Sequence, residues 1–267
     1  MQDIPYATLF WKRSVLLNMG SLFTGGKKPL ICVPITGTSN DEITAQLAEV
    51  IASQPDMIEW RADFYKHLAN EEAVIDVIEM IKSQTDIPIL FTIRSEREGG
   101  EPVSLSEAEK VALLEGICAA TGLDVLDYEV ENEPDFIARV REAAEANGVE
   151  LVLSYHDFSA TPSNTELVKI GVKMELLGAH VAKIAVMPNN RDDLYRLLHI
   201  TAELDELLKL PVITMSMGEL GALSRTIGWA YGSCLTFAVG VESSAPGQIP
   251  IESLRTAIEA VQAVTKA

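Results

Sequence analysis

Cysteine is scarce in this chain of 267 residues; there are three, Cys32, Cys118 and Cys234. Odd in number, far apart and set among apolar neighbours, they read as buried free thiols and exclude a disulfide scaffold. Positive charge is also short. Against 39 Asp and Glu stand 21 Lys and Arg, a formal charge of -18 with a pI near 4.6. Such a field repels phosphate backbones and no basic stripe interrupts it, so no nucleic-acid partner is expected. The plain use of the acidity is solubility. No apolar run is long enough to span a bilayer, and the N-terminus, with Asp3 early and only Val15-Leu16-Leu17 as an apolar stretch, lacks the core of a signal peptide. A cytoplasmic protein with no membrane partner is the expectation.

What is present is a globular composition, 48% hydrophobic and 22% charged with a mean hydropathy of +0.16. From Leu30 onward, short β-branched runs alternate with longer helical patterns. The strand candidates are Ile31–Thr36, Met57–Ala62, Ile89–Arg94, Val125–Val130, Leu151–His156, Val181–Met187, Val212–Ser216 and Cys234–Val239. Helix starts are marked by cap candidates: Ser39-Asn40 before Asp41–Ile51, Ser104 before Glu107–Cys118, and Ser163 before Thr165–Leu177. Eight such units over about 235 residues predict an α/β fold of the (β/α)8 barrel type, since an open doubly wound sheet more often has five or six strands. Residues 1–29 stand outside the repeat. We expect 1–13 to be a loosely held extension and 14–267 a single barrel domain, with a hairpin from Ser14–Asn18 and Gly20–Thr24 closing the barrel's N-terminal end.

Barrel active sites form at the C-terminal ends of the strands, so polar residues there are the candidates. Strand two ends Glu59-Trp60-Arg61, and strand three ends at Arg94 with Glu98 in the next loop. Asp127 and Glu129 lie on strand four, Ser154-Tyr155-His156-Asp157 ends strand five, and Lys183 is inside strand six. Strand seven leads into Arg225 and strand eight into Ser243–Gln248. An ammonium on a strand covered on both faces loses solvation and needs a reason. Lys183 is either an ion-paired structural lysine, with Glu129 as partner, or a nucleophile whose pKa is lowered by desolvation and neighbouring arginines. His156, at a strand end beside Asp157, is either an acid/base group or part of a capping or structural His-Asp pair. His67, His180 and His199 fall in a loop, at the wrong end of a strand and in mid-helix, where surface or packing roles are expected. No spacing resembles a metal-ligand set, and no G-x-S-x-G turn offers a nucleophilic serine. A class I aldolase-like imine enzyme and a non-catalytic small-molecule binder are the competing functions. The first is disfavoured by the lack of a phosphate-binding glycine loop between strands seven and eight.

Several motifs in order resemble the type I 3-dehydroquinate dehydratases. They are Glu59-Trp60-Arg61 with Asp63, Thr92-Ile93-Arg94 with Glu98-Gly99-Gly100, Ser154 to Phe158, Val181 to Ala185, Met217-Gly218 through Ser224-Arg225, and Ser244-Ala245-Pro246-Gly247-Gln248. The resemblance spans roughly Leu16 to the C-terminus. It implies conversion of 3-dehydroquinate to 3-dehydroshikimate in the shikimate pathway, toward chorismate and aromatic amino acids, by a hydro-lyase acting through a lysine Schiff base. Lys183 would be the nucleophile, His156 the general acid/base and Glu98 the carboxylate orienting it. Arg225 would hold the substrate carboxylate, Glu59, Arg61 and Arg94 would contact its hydroxyls, and Ser244 and Gln248 would close over it. The resemblance further implies no cofactor, no metal, and a homodimer.

Overall fold

A computed structural model describes residues 21–23, 28–240 and 244–265. Eight parallel strands form the frame: β1 (Leu30–Ile35), β2 (Met57–Arg61), β3 (Ile89–Thr92), β4 (Val125–Glu129), β5 (Glu150–Asp157), β6 (Val181–Val186), β7 (Val212–Ser216) and β8 (Leu235–Val239). Neighbours run from β7 down to β1 and then to β8. The ring closes between β8 and β7, where the Cys234 N–H donates to the Val212 carbonyl at 2.8 Å beside a parallel Val212–Ser233 bridge. A two-residue strand β9 (Ile249–Pro250) pairs with the end of β8. The expected (β/α)8 barrel is therefore the fold, with strand ends within about one or two residues of those read from the sequence.

Helices α1 (Asn40–Ala52), α2 (Glu71–Gln84), α3 (Glu107–Thr121), α4 (Pro134–Asn147), α5 (Asn164–Leu176), α6 (Arg191–Leu207), α7 (Gly218–Ile227) and α8 (Ile251–Thr265) follow their strands. Ser39 and Ser163 cap α1 and α5 as anticipated. The cap of α3 is Ser106, not Ser104. Its hydroxyl accepts from the Glu109 N–H while Glu109 reaches back to the Ser106 N–H, a reciprocal box that Ser104 is two residues too early to form.

Strand side chains alternate, so each strand gives every second residue to the barrel interior. The innermost row at the N-terminal end is apolar: Cys32, Met57, Leu90, Val125, Val152, Val181, Ile213 and Leu235 pack together with Phe23. Ser21 Oγ and the Leu22 N–H both donate to the Glu150 carboxylate, at 2.8 and 2.7 Å, which seats Phe23 under this row. Of the hairpin expected at 14–24, only residues 21–23 are described; the remainder and the extension 1–13 lie outside the described residues. Two residues up strands β2 to β6 the interior turns polar, with Glu59, Thr92, Asp127, Ser154 and Lys183. The register sets Thr92 beside Asp127 and Ser154 beside Lys183, and the Ser154 hydroxyl joins the two pairs by donating to Asp127 Oδ1 at 2.6 Å.

Candidate active site

Above them opens a cavity lined by all nine residues singled out from the sequence: Glu59, Arg61, Arg94, Glu98, His156, Lys183, Arg225, Ser244 and Gln248. Ser243 lies outside the described residues. Met215, Met217, Phe158, Phe237, Gly99, Ala185 and Ala245 complete the wall.

Lys183 is 3% exposed, and its charged neighbours are not those expected. Nζ donates to Asp127 Oδ2 at 2.9 Å and lies 3.7 Å from Glu59 Oε1, with the Phe237 ring face 4.8 Å away. Glu129, the expected partner, instead accepts from Arg94 Nη1 and Arg97 Nη2, both at 3.1 Å. It sits two residues farther along β4 than Asp127.

Arg94 gathers the carboxylates. Nη2 donates to Asp127 Oδ1 at 2.6 Å, Nη1 donates to Glu129 and to Ser154 Oγ, and Glu98 Oε2 is 3.9 Å off. Burial alone would lower the pKa of this guanidinium, but Asp127, Glu129 and Glu98 outweigh burial and raise it. Burial would likewise protonate Asp127, yet Arg94 and Lys183 hold it well below the usual carboxylate range. Arg61 is clamped by Asp63 through two bonds of 2.8 and 2.7 Å. The other Asp63 acceptor sites take the Arg94 and Glu101 N–H groups, which ties the ends of β2 and β3 together.

His156 meets Glu98, not Asp157. Glu98 Oε2 lies 2.9 Å from His156 Nδ1 and accepts the His156 backbone N–H at 3.0 Å. Asp157 turns away to cap Ser159 and Ala160, so the alternative His-Asp pair does not form. Burial, then Arg94 and Lys183, push the imidazole well below its usual pKa, which leaves it neutral. Burial and then Glu129 push Glu98 up to about 8 against the pull of Arg94 and Arg97. Glu98 is presented by a short 3₁₀ turn whose next residue, Gly99, has φ +83 and packs under the Phe158 ring. A side chain there would be strained and would strike that ring.

Arg225 comes from the last turn of α7. A Cβ on Gly221 would collide with the Ser216 carbonyl, so glycine lets α7 lie against the end of β7 and brings Arg225 over the cavity. Arg225 is 2% exposed, and among the described residues its guanidinium meets only the Pro246 carbonyl at 3.0 Å and Met215 Sδ at 3.8 Å, with Nε unpartnered. Burial draws it down to about 10, still cationic at neutral pH. Among the described residues no carboxylate pairs with it. Ser244 and Gln248 bond each other, and the Ser244 carbonyl accepts from Arg61 at 3.4 Å, so the β8–α8 loop rests on the rim.

The sequence places Asp127 on its strand without a role and gives no sign of the apolar wall. The period of two on β4, which places Asp127 and Glu129 on one face, was the available signal. The other histidines stay apart: His67 and His199 are exposed, and His180 Nδ1 accepts the Leu151 N–H at the far end of the barrel. Cys32 and Cys118 are buried free thiols, and Cys234 is half-buried. Among the described residues no group of three or more His, Cys, Asp or Glu is arranged to hold a metal, and no helix is long and apolar enough to cross a membrane.

A family model for type I 3-dehydroquinase matches residues 31–265. The chain is 48% identical over 240 residues to the 3-dehydroquinate dehydratase of Albidiferax ferrireducens, covering 90% of this chain and 91% of that protein. It is 45% identical to that of Geobacillus thermodenitrificans, over 92% of this chain and 95% of the relative. A crystal structure of 3-dehydroquinate dehydratase from Geobacillus kaustophilus superimposes with a TM-score of 0.87 at 45% identity, over 90% of this chain and 93% of the other. The type I enzyme from Clostridium difficile, solved with covalently modified comenic acid, gives 0.84 at 37% identity over 89% and 93%.

Proposed function

The chain belongs to the type I 3-dehydroquinase family, and from that premise we propose that it dehydrates 3-dehydroquinate through an imine on Lys183. Membership makes it a carbon-oxygen lyase, a 3-dehydroquinate dehydratase. The observation that carries the imine reading is the placement of a buried amine, a neutral imidazole and an unpaired guanidinium around one cavity.

The substrate is a ring ketone with a carboxylate and a hydroxyl on one carbon two positions from the carbonyl. Arg225 takes the carboxylate, since a buried guanidinium with free donors binds one bidentately and so fixes the ring. The ketone then faces Lys183. The Lys183 ammonium gives one proton to His156, the free amine Nζ adds to the carbonyl carbon, and with that proton returned the oxygen leaves as water while one N–H stays on nitrogen. The resulting iminium draws electrons from the adjacent carbon when His156 Nε2 removes its proton, giving an enamine. The enamine pair returns and expels the hydroxyl, which leaves as water with the proton His156 carries. Water then hydrolyses the product imine. Glu98 fixes the imidazole through Nδ1, so that Nε2 faces the reacting carbons. Glu59 and the loop of Ser244 and Gln248 complete contacts to the remaining hydroxyls.

Borohydride added with 3-dehydroquinate should inactivate the protein and leave a substrate-derived mass on the Lys183 peptide. A label elsewhere, or near-native turnover by a folded Lys183→Ala, refutes the assignment. The reading also places the protein in the shikimate pathway as a cytoplasmic homodimer, and light scattering in solution decides the subunit number.

A further inference from the structure

Asp127 is 3% exposed and stands behind the cavity wall, under Lys183. Its two oxygens have different surroundings. Oδ1 accepts from Arg94 Nη2 and from Ser154 Oγ, both at 2.6 Å, which fixes the carboxylate in the barrel frame. Oδ2 is left to Lys183 Nζ at 2.9 Å. The other groups around that nitrogen are unequal to the same task. Glu59 on β2 is farther, at 3.7 Å, and the same Oε1 is already held by Thr92 Oγ1 at 3.0 Å. Phe237 on β8 offers a ring face, Met215 on β7 a thioether, and His156 on β5 is neutral. Glu129 and Glu98 are engaged with Arg94 and Arg97.

We propose that Asp127 is the counter-ion of the iminium formed on Lys183, keeping that nitrogen protonated while the ring carbon beside it loses its proton; this rests on the imine reading above. When the Lys183 ammonium condenses with the ketone and the carbonyl oxygen departs as water, two of its three hydrogens leave with that water and the nitrogen keeps one N–H and the positive charge. Two of its three in-plane directions are taken by carbon. The third N–H points at the acceptor already 2.9 Å away. Ammonium and iminium carry the same charge in the same place, so a carboxylate fixed by Arg94 and Ser154 serves both without moving. A neutral imine would be the weaker electron sink.

The test is borohydride trapping with 3-dehydroquinate, read by intact-protein mass from about pH 6 to about pH 10, because hydride adds to the protonated imine; an opposite charge within a few ångströms is worth about 1–3 pH units. Wild type should trap across the range. Asp127→Asn keeps an acceptor for Arg94 but loses the charge, so its trapping midpoint should fall by about 1–3 pH units, with about 10–1,000-fold less adduct at alkaline pH. The alkaline limb of turnover should move with it. Ser154→Ala, which removes one donor from Asp127 and leaves its charge, should shift the midpoint the same way by less than about one unit. A purely structural Asp127 would lower the yield equally at every pH. An unmoved midpoint in Asp127→Asn, or in Ser154→Ala should the first variant fail to fold, overturns the counter-ion while leaving the imine intact. Absence of any adduct in wild type overturns the imine itself and the counter-ion with it.

Discussion

Arg94 and Arg225 look into one cavity from opposite sides of the barrel mouth, and they are buried alike, at 3% and 2% exposure. Arg94 has Asp127, Glu129 and Glu98 within 3.9 Å, and a hydroxyl besides. Arg225 has a carbonyl, a thioether and an orphaned Nε. A buried charge is costly unless paired. The first arginine is compensated by carboxylates of the protein, and the second has none among the described residues. One half of the mouth is thus an ion network and the other a lone buried cation, to which the proposed function gives the substrate carboxylate, even though the two side chains are the same chemical group.

The largest break in that comparison is Arg94→Met. It strands the buried Asp127 and Glu129 carboxylates beside Glu98 and should cost about 3–5 kcal/mol at neutral pH by urea unfolding. Part of the loss should return on acidification, as the carboxyls protonate. A loss under about 1 kcal/mol would show that the network is not held by this guanidinium. Arg225→Met reverses the sign. Removing an uncompensated cation should leave the empty protein at least as stable as wild type, with a gain of up to about 1–4 kcal/mol. Substrate binding should weaken by about 2–5 kcal/mol, read as a raised KM and a lost substrate-induced rise in Tm. Arg139→Ala is the control, since Arg139 sits on α4 in an exposed pair with Glu115 worth at most about 1 kcal/mol. Equal substrate binding by the Arg225 and Arg139 variants would remove the carboxylate assignment.

Which side of this contrast was legible beforehand follows from what local sequence encodes. The position of polar residues on and after the strand ends gave a wider set containing all nine cavity residues, because a parallel barrel gathers its strand ends at one mouth, and the family resemblance singled out the nine. Pairing was not legible. The sequence offers Glu129 to Lys183 only as the partner in the ion-paired alternative, and a His-Asp pair to His156 only as the alternative to an acid/base role; the folded strands give the amine to Asp127, although the register sets Glu129 level with Ser154 and Ser154 level with Lys183, and the 3₁₀ turn after β3 delivers Glu98. Register between strands depends on contacts far apart in the chain, and a shift of one residue would turn every side chain to the other face. Arg225 was found, but its lack of a partner shows only once α7 has folded back over the cavity.

Glu98 sharpens the contrast within the paired half, since its ion pairs do not suffice to keep it acidic. Burial first, and Glu129 next, raise it to about 8 in the folded protein. Below that pH the carboxyl donates its proton to His156 Nδ1, and the imidazole turns an Nε2–H toward the cavity, the wrong tautomer for taking a proton. Above it, Glu98 accepts Nδ1–H and frees the Nε2 lone pair. The free-enzyme profile of kcat/KM should therefore rise through about pH 8, and Glu98→Gln should abolish that limb while lowering turnover by about 10–100-fold, as for other partners that orient a working histidine. Stability tests the same titration independently. A carboxyl whose folded pKa is raised contributes stability that is full below its unfolded value and is lost as pH rises through the folded one. Wild type should thus lose stability between about pH 4.5 and about pH 8 through this residue, while Glu98→Gln does not. The difference in Tm between the two should move in the variant's favour across that window. A difference that stays constant with pH, together with an acid limb retained in the variant, would place the titration on another group and leave Glu98 as a positioning contact only.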